Sequence, residues 1–240
     1  MFHKKLSAFA LIEIAIALCV LGVIGYMTIP LLGKVQQWQR VRATTINQEK
    51  IIEALAGYVL ANKRLPCPAI NSNGQAQAVC TSDTKAGFVP YKTLGIDAKM
   101  AKDGNHHWMT YVVQPNLTAE KIRWIQPMQD LKVDPKTIFC KTPGCELAIL
   151  DEQHEPCVVA PDFVAVVLIA HGNSGGYVLD NGSIQPVTST DPDKIVNAER
   201  DNQYIMKALQ YRDASIFDDT VLFASRNNLM AQWAKFPCQS

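Results

Sequence analysis

The chain lacks net charge: among its 240 residues, 23 Lys and Arg offset 22 Asp and Glu, leaving +1 at pH 7 with His neutral. That balance excludes a strongly basic nucleic-acid binder of the obvious kind. Glycine and proline, 13 of each, are too few for a collagen-like chain, and 48% hydrophobic residues are too many for a disordered one. No repeat of 20–50 residues is present, which removes solenoids and propellers. Charge is scarcest near the start. From Phe9 to Leu32, 19 of 24 residues are hydrophobic and Glu13 is the only charged one.

That run has the length of a membrane-crossing helix, about 20 apolar residues. His3, Lys4 and Lys5 precede it without an acid, which holds this end in the cytoplasm and sends the rest outside. A cleaved secretory signal has a shorter apolar core, ~7–15 residues, and a small-residue cleavage site. The expectation is therefore a retained anchor. Of seven cysteines, Cys19 lies in the run and six follow: Cys67, Cys80, Cys140, Cys145, Cys157 and Cys238. Outside the cytoplasm an even set suggests up to three disulfides. Proximity favours Cys67–Cys80 and Cys140–Cys145, leaving Cys157–Cys238.

A helix is expected from about Phe9 to Asn62, because Val35, Trp38, Val41, Thr45, Ile52, Leu55 and Val59 continue a stripe at three- and four-residue steps. The first breaker is Leu65-Pro66-Cys67-Pro68. Pro30, between Gly25 and Gly33, is expected to kink or loosen the helix. The remainder reads as short strands: Met109–Val113, Leu147–Leu150, Phe163–Ala170, Tyr177–Leu179, Ile184–Val187 after the turn Asp180-Asn181-Gly182-Ser183, and Thr220–Ala224. A short helix near Leu229–Lys235 closes the chain. Without long helices between the strands, the sheet is expected to be mainly antiparallel.

Lys4-Lys5-Leu6-Ser7-Ala8 followed by Phe9-Ala10-Leu11-Ile12-Glu13 resembles the N-terminal signal of type IV prepilins and type II secretion pseudopilins. Shorter segments, Leu65–Ala69, Gly87–Gly95, Tyr111–Val113 and Phe217–Asp219, are similar to a subgroup of large prepilin-like proteins. The resemblance implies cleavage between Ala8 and Phe9 by a prepilin peptidase and methylation of the new N-terminus. Ala8 stands where the family usually has glycine. It further implies that Glu13 pairs with the N-terminal amine of a neighbouring subunit, and that Pro30 occupies a helix-loosening position. A carboxylate placed in hydrocarbon costs about 2.5–3.5 kcal/mol, so Glu13 calls for such a partner.

Three other constellations carry chemistry. His171-Gly172-Asn173-Ser174-Gly175-Gly176 resembles a serine-protease nucleophile loop, but no motif places His106, His107 or His154 as its base. A glycine-rich turn after the buried strand Phe163–Ala170 is the expected reading. Cys140, Cys145, His154 and Cys157 have acceptable zinc-ligand types, with disulfides the default outside the cytoplasm. Asp180, Asp191, Asp193, Glu199, Asp201, Asp218 and Asp219 include acids spaced for calcium or for turns, and no cofactor is expected unless calcium binds there.

The expected architecture is α+β and pilin-like, with a long transmembrane and amphipathic N-terminal helix packed on a mainly antiparallel sheet. Its parts are a leader (1–8), a transmembrane half-helix (9–33), an amphipathic half-helix (34–62) and an extracytoplasmic domain (63–240). The expected function is a structural subunit of a type IV pilus or type II secretion filament, without enzymatic activity. Its partners are other such subunits, an inner-membrane assembly platform and the peptidase; nucleic acid is not indicated. Its place is the bacterial inner membrane, with the C-terminal domain in the periplasm. The alternatives are a membrane-tethered periplasmic hydrolase and an anchored binding module that does not polymerise.

Overall fold

A computed structural model of the chain describes residues 6–62, 64–118, 147–159, 162–212 and 214–233. The chain divides into two compact units, Met1–Val41 and Arg42–Ser240. Helix α1, Leu6–Asn62, runs through both and remains helical across Pro30. Its end at Asn62 falls where the approaching prolines forbid further helix.

In the second unit α1 buries Thr44, Gln48, Ile51, Ile52, Leu55, Ala56 and Val59. Steps of three and four residues place these on one face. Val35 and Trp38, expected on that stripe, are instead 46% and 63% exposed. The buried face is also not wholly apolar: the Gln48 amide donates to the backbone oxygens of Leu168 (3.3 Å) and Thr220 (2.8 Å), tying the helix to two strands.

The main sheet has the order β1-β2-β4-β8, with β1 at Ala86–Phe88, β2 at Thr110–Val113, β4 at Val164–Ala170 and β8 at Thr220–Ser225. All three pairings are antiparallel, with Thr110 opposite Ile169 and Leu168 opposite Leu222. Every residue of β4 is buried, which explains its unbroken apolar sequence. Val166, Leu168 and Ala170 join the core beneath α1, whereas Val164, Val167 and Ile169 join a second core with Ile149 and Tyr204. A register irregularity between Val164 and Val166 resets the alternation at the start of the strand.

That second core lies under the parallel pair of β3, Ala148–Leu150, and β5, Gln203–Ile205. A hairpin joins β6, Gln210–Arg212, to β7, Ser215–Phe217. Short helices complete the unit: α2 at Tyr91–Leu94, α3 at Pro192–Glu199 and α4 at Arg226–Trp233. The expected strands at 177–179 and 184–187 are reduced to bridges of Val178 with Trp108 and with Ile184. Their turn is present, with Gly182 at φ +86°.

The α+β class and antiparallel sheet agree with expectation, but the expected fold class is corrected at its transmembrane half. Among the described residues, no helix is long and apolar enough to cross a membrane. Within α1, Ile12–Val23 is apolar save for Glu13 and Gly22. From Gly33 onward, Lys34, Gln36, Gln37, Gln39 and Arg40 make the helix polar.

Candidate functional site

Ala8, Phe9, Glu13 and Pro30 all lie within α1 in the first unit. Glu13 is exposed, as are Ile12, Ile14, Ile16, Leu18, Val20, Leu21 and Val23, at 51–64% each. At 100° per residue these seven side chains point in all directions around the helix. None of them belongs to either core cluster. A helix that is apolar all round is normally buried by something. Among the described residues of this chain, nothing in either core covers it.

Of the cysteines, Cys67 and Cys80 form a disulfide with Cα atoms 5.7 Å apart. Cys140, Cys145 and Cys238 lie outside the described residues. Cys157 is exposed and, among the described residues, has no disulfide partner. Burial, and secondarily Asp151, pushes its thiol pKa up. Cys19 is likewise a free, exposed thiol.

The glycine-rich loop leads to a buried ionic cluster. At the end of β4, His171 is fully buried, and Gly172, Gly175 and Gly176 follow with φ of +60°, +96° and +89°. A side chain at Gly172 would collide with the Asp218 carboxylate, and one at Gly175 with the backbone of Pro186. The glycines are thus required by the turn itself. The loop wraps Asp218, whose Oδ2 accepts from the backbone amides of Asn173 (2.7 Å) and Ser174 (3.0 Å). The Ser174 hydroxyl donates to Asp218 Oδ1.

Lys194, on α3 and fully buried, reaches into the same cluster. Its Nζ donates to the His171 carbonyl and to Asp219 Oδ1, and lies 3.0 Å from Asp218 Oδ1. Asn197, one helical turn later, donates to Asp219 Oδ2 at 2.9 Å. His171 Nε2 meets the Thr110 hydroxyl at 3.1 Å, while its Nδ1 faces Asp219 from 3.6 Å, beyond hydrogen-bond reach. Burial alone would raise the Asp219 pKa, but attraction to His171 and Lys194 outweighs it and the net shift is downward. The cluster therefore joins β4, α3 and the β7–β8 connection through charge. Helix α3 is set by Asp191, which caps the amides of Asp193 and Lys194, and by Pro192 at its first position.

A second charged group lies at the start of α3. Lys207 Nζ sits 2.9 Å from Asp191 Oδ1 and 2.5 Å from Asp193 Oδ2, and His154 Nε2 is 2.9 Å from Asp193 Oδ1. Burial opposes charge on both partners. The mutual attraction prevails, lowering the Asp193 pKa and raising that of Lys207.

These contacts decide the fate of several candidates. Ser174 is 5% exposed and bonded to a carboxylate, with no histidine as its partner. Four of the acids considered for calcium, Asp191, Asp193, Asp218 and Asp219, are already paired, two with Lys207 and two with Lys194. Asp180 accepts from the Trp108 indole, and Asp201 from the Gln203 amide. Among the described residues, no group of three His, Cys, Asp or Glu side chains is arranged to hold a metal ion. Of the zinc candidates, Cys140 and Cys145 lie outside the described residues, and His154 Nε2 is engaged by Asp193. His106 adopts φ +67° in a turn, and His107 stacks on Tyr177 at 3.7 Å.

Lys194 and its partners were not legible as one site, since 23 to 25 residues separate them in sequence. Asp191-Pro192 was the available signal, being both an N-cap and a first-position proline, although the same residues also suit a turn. Comparison of the chain with protein-family models, with curated proteins and with solved structures finds no match.

Proposed function

We propose that this chain is a structural subunit that associates with like subunits through the first part of α1, in a filament of the type IV pilus or type II secretion kind. The observation that carries this reading is the exposed apolar surface of Ile12–Val23 with one carboxylate, Glu13, set in it. Packing such helices against one another removes apolar area from water at about 25 cal/mol per Å². It would also bring Glu13 toward the N-terminal amine of a neighbour, so that two costly charges offset each other. Processing between Ala8 and Phe9 would create that amine.

On this reading the partners are like subunits, the peptidase and an inner-membrane assembly platform. The globular unit lies outside the cytoplasm, in keeping with the Cys67–Cys80 disulfide. The geometry of Ser174 lends the hydrolase alternative no support, since its hydroxyl is buried and directed at Asp218. Intact-mass and N-terminal analysis of the native protein tests the proposal. An N-methylated Phe9 is the expected result; retention of Met1 in cells with an active prepilin peptidase would overturn it.

A further inference from the structure

Arg200 stands at the C-terminal end of α3 in the left-handed conformation, φ +58°. Its Nε and Nη2 atoms are buried and, among the described residues, have no hydrogen-bond partner. These two atoms form one edge of the guanidinium, the edge that takes a carboxylate or phosphate through two parallel hydrogen bonds. A guanidinium remains charged in proteins, so leaving two of its donors buried and unmet is costly. Burial, only partly opposed by Tyr204, lowers its pKa, as desolvation without a close counter-ion must.

Arg200 lines a cavity of about 280 Å³ in the second unit. One wall comes from the disulfide-closed segment 67–80, through Ile70 and Gln77. The others come from β1 and the turn before it (Thr84, Phe88) and from the 178–182 turn. Apolar walls with a few converging polar groups are the usual anatomy of a small-ligand site, and the volume sits near the lower end of that class. Among the described residues, neither the Gln77 side-chain amide nor the Arg200 edge is used by another side chain. Asp83 also lines the cavity, but no ion pair joins it to Arg200 among the described residues. Just outside, Lys85 donates to Asn202, adding a second cation to this side of the molecule.

We propose that this cavity binds the oxyanion of a small ligand, a carboxylate or phosphate, with Arg200 Nε and Nη2 as the bidentate anchor and Gln77 as a further donor. The inference is independent of filament assembly, and its test reads a different part of the chain. The full-length ¹⁵N-labelled protein is titrated with sodium phosphate and, separately, with sodium acetate, at ionic strength held constant with chloride. The expected result is saturable amide shifts at Thr84, Gly87 and Gly182 with at least one of the two anions. Phosphate and acetate then identify which oxyanion geometry fits. Affinity should fall about tenfold or more in Arg200→Gln and be unchanged in Arg212→Gln, which alters an exposed arginine on β6. If Arg200→Gln does not fold, Gln77→Leu should still weaken binding about threefold. Absence of saturation with both anions, or equal binding by the Arg200 and Gln77 variants, overturns the proposal.

Discussion

The two units handle polarity in opposite ways. Over Ile12–Val23 the helix carries its large apolar side chains outward, each more than half exposed, with Glu13 among them. In the second unit, Lys194, His171 and Asp219 are 0–2% exposed, and the apolar strand β4 is covered on both faces. One region has its apolar surface unmatched within the described chain; the other sets Lys194 and Lys207 against carboxylates inside it. Burial is met by pairing in the Lys194 cluster, and by nothing among the described residues along Ile12–Val23.

The sharpest way to break this contrast is Glu13→Val. Removing one partner of a buried charge pair costs about 3–5 kcal/mol, so assembly should fall by at least about 100-fold. Filament yield by electron microscopy, or complementation, measures it; unchanged assembly would remove the mechanism. In the second unit, Lys194→Met strands Asp218 and Asp219 and should lower stability by about 3–5 kcal/mol. Fluorescence-monitored urea unfolding of the full chain would show this, and adding Asp219→Asn should recover part of the loss. A change below about 1 kcal/mol would mean the cluster is not closed as described.

Opening Cys67–Cys80, whose cysteines are 13 residues apart, should cost about 3 kcal/mol on the chain-entropy account. Non-reducing peptide mapping checks the bond itself, and mild reduction followed by a melt checks its contribution. Ser174→Ala removes one donor to Asp218 and should cost about 1 kcal/mol. Labelling by a serine-directed probe should be absent before and after the substitution. Labelling lost in the variant would instead support the hydrolase reading.

The smallest expected effect is with pH. Asp219 and Asp193 have lowered pKa values in the folded chain, so each contributes stability above the unfolded carboxylate pKa of ~3.9 and loses it as pH falls through the folded value. Lys207 is raised, so its contribution is complete below the unfolded lysine pKa of ~10.4 and disappears as pH rises past the folded one. Unfolding midpoints measured from pH 2 to 11 should therefore decline at both ends. Asp193→Asn should flatten both limbs, because it removes one lowered carboxylate and one of Lys207's two carboxylate partners.

Much of the fold was legible because it depends on local chemistry. The end of α1 at Asn62 follows from Leu65-Pro66-Cys67-Pro68, and β4 from an unbroken apolar run. The glycines after β4 marked a turn, and the positive φ angles at Gly172, Gly175 and Gly176 show why they are there. Less legible were the three-residue strands β5, β6 and β7, which are too short to show a period. The buried stripe of α1 departs from the apolar stripe of its sequence because Thr44 and Gln48 are polar. Gln48 is buried there because it satisfies two strand carbonyls, a partner visible only in three dimensions.

By itself, then, the sequence determined the long helix, its single carboxylate in an apolar run, the turn glycines and the central strand, all of which follow from neighbours within a few residues. The tertiary structure decided which acids are free. Asp191, Asp193, Asp218 and Asp219 look alike in sequence, yet all are bound by lysines drawn from other segments. It likewise decided that Arg200 has no such partner among the described residues. Charge pairing is a property of distances across the fold, and composition near +1 carries no information about which charge meets which.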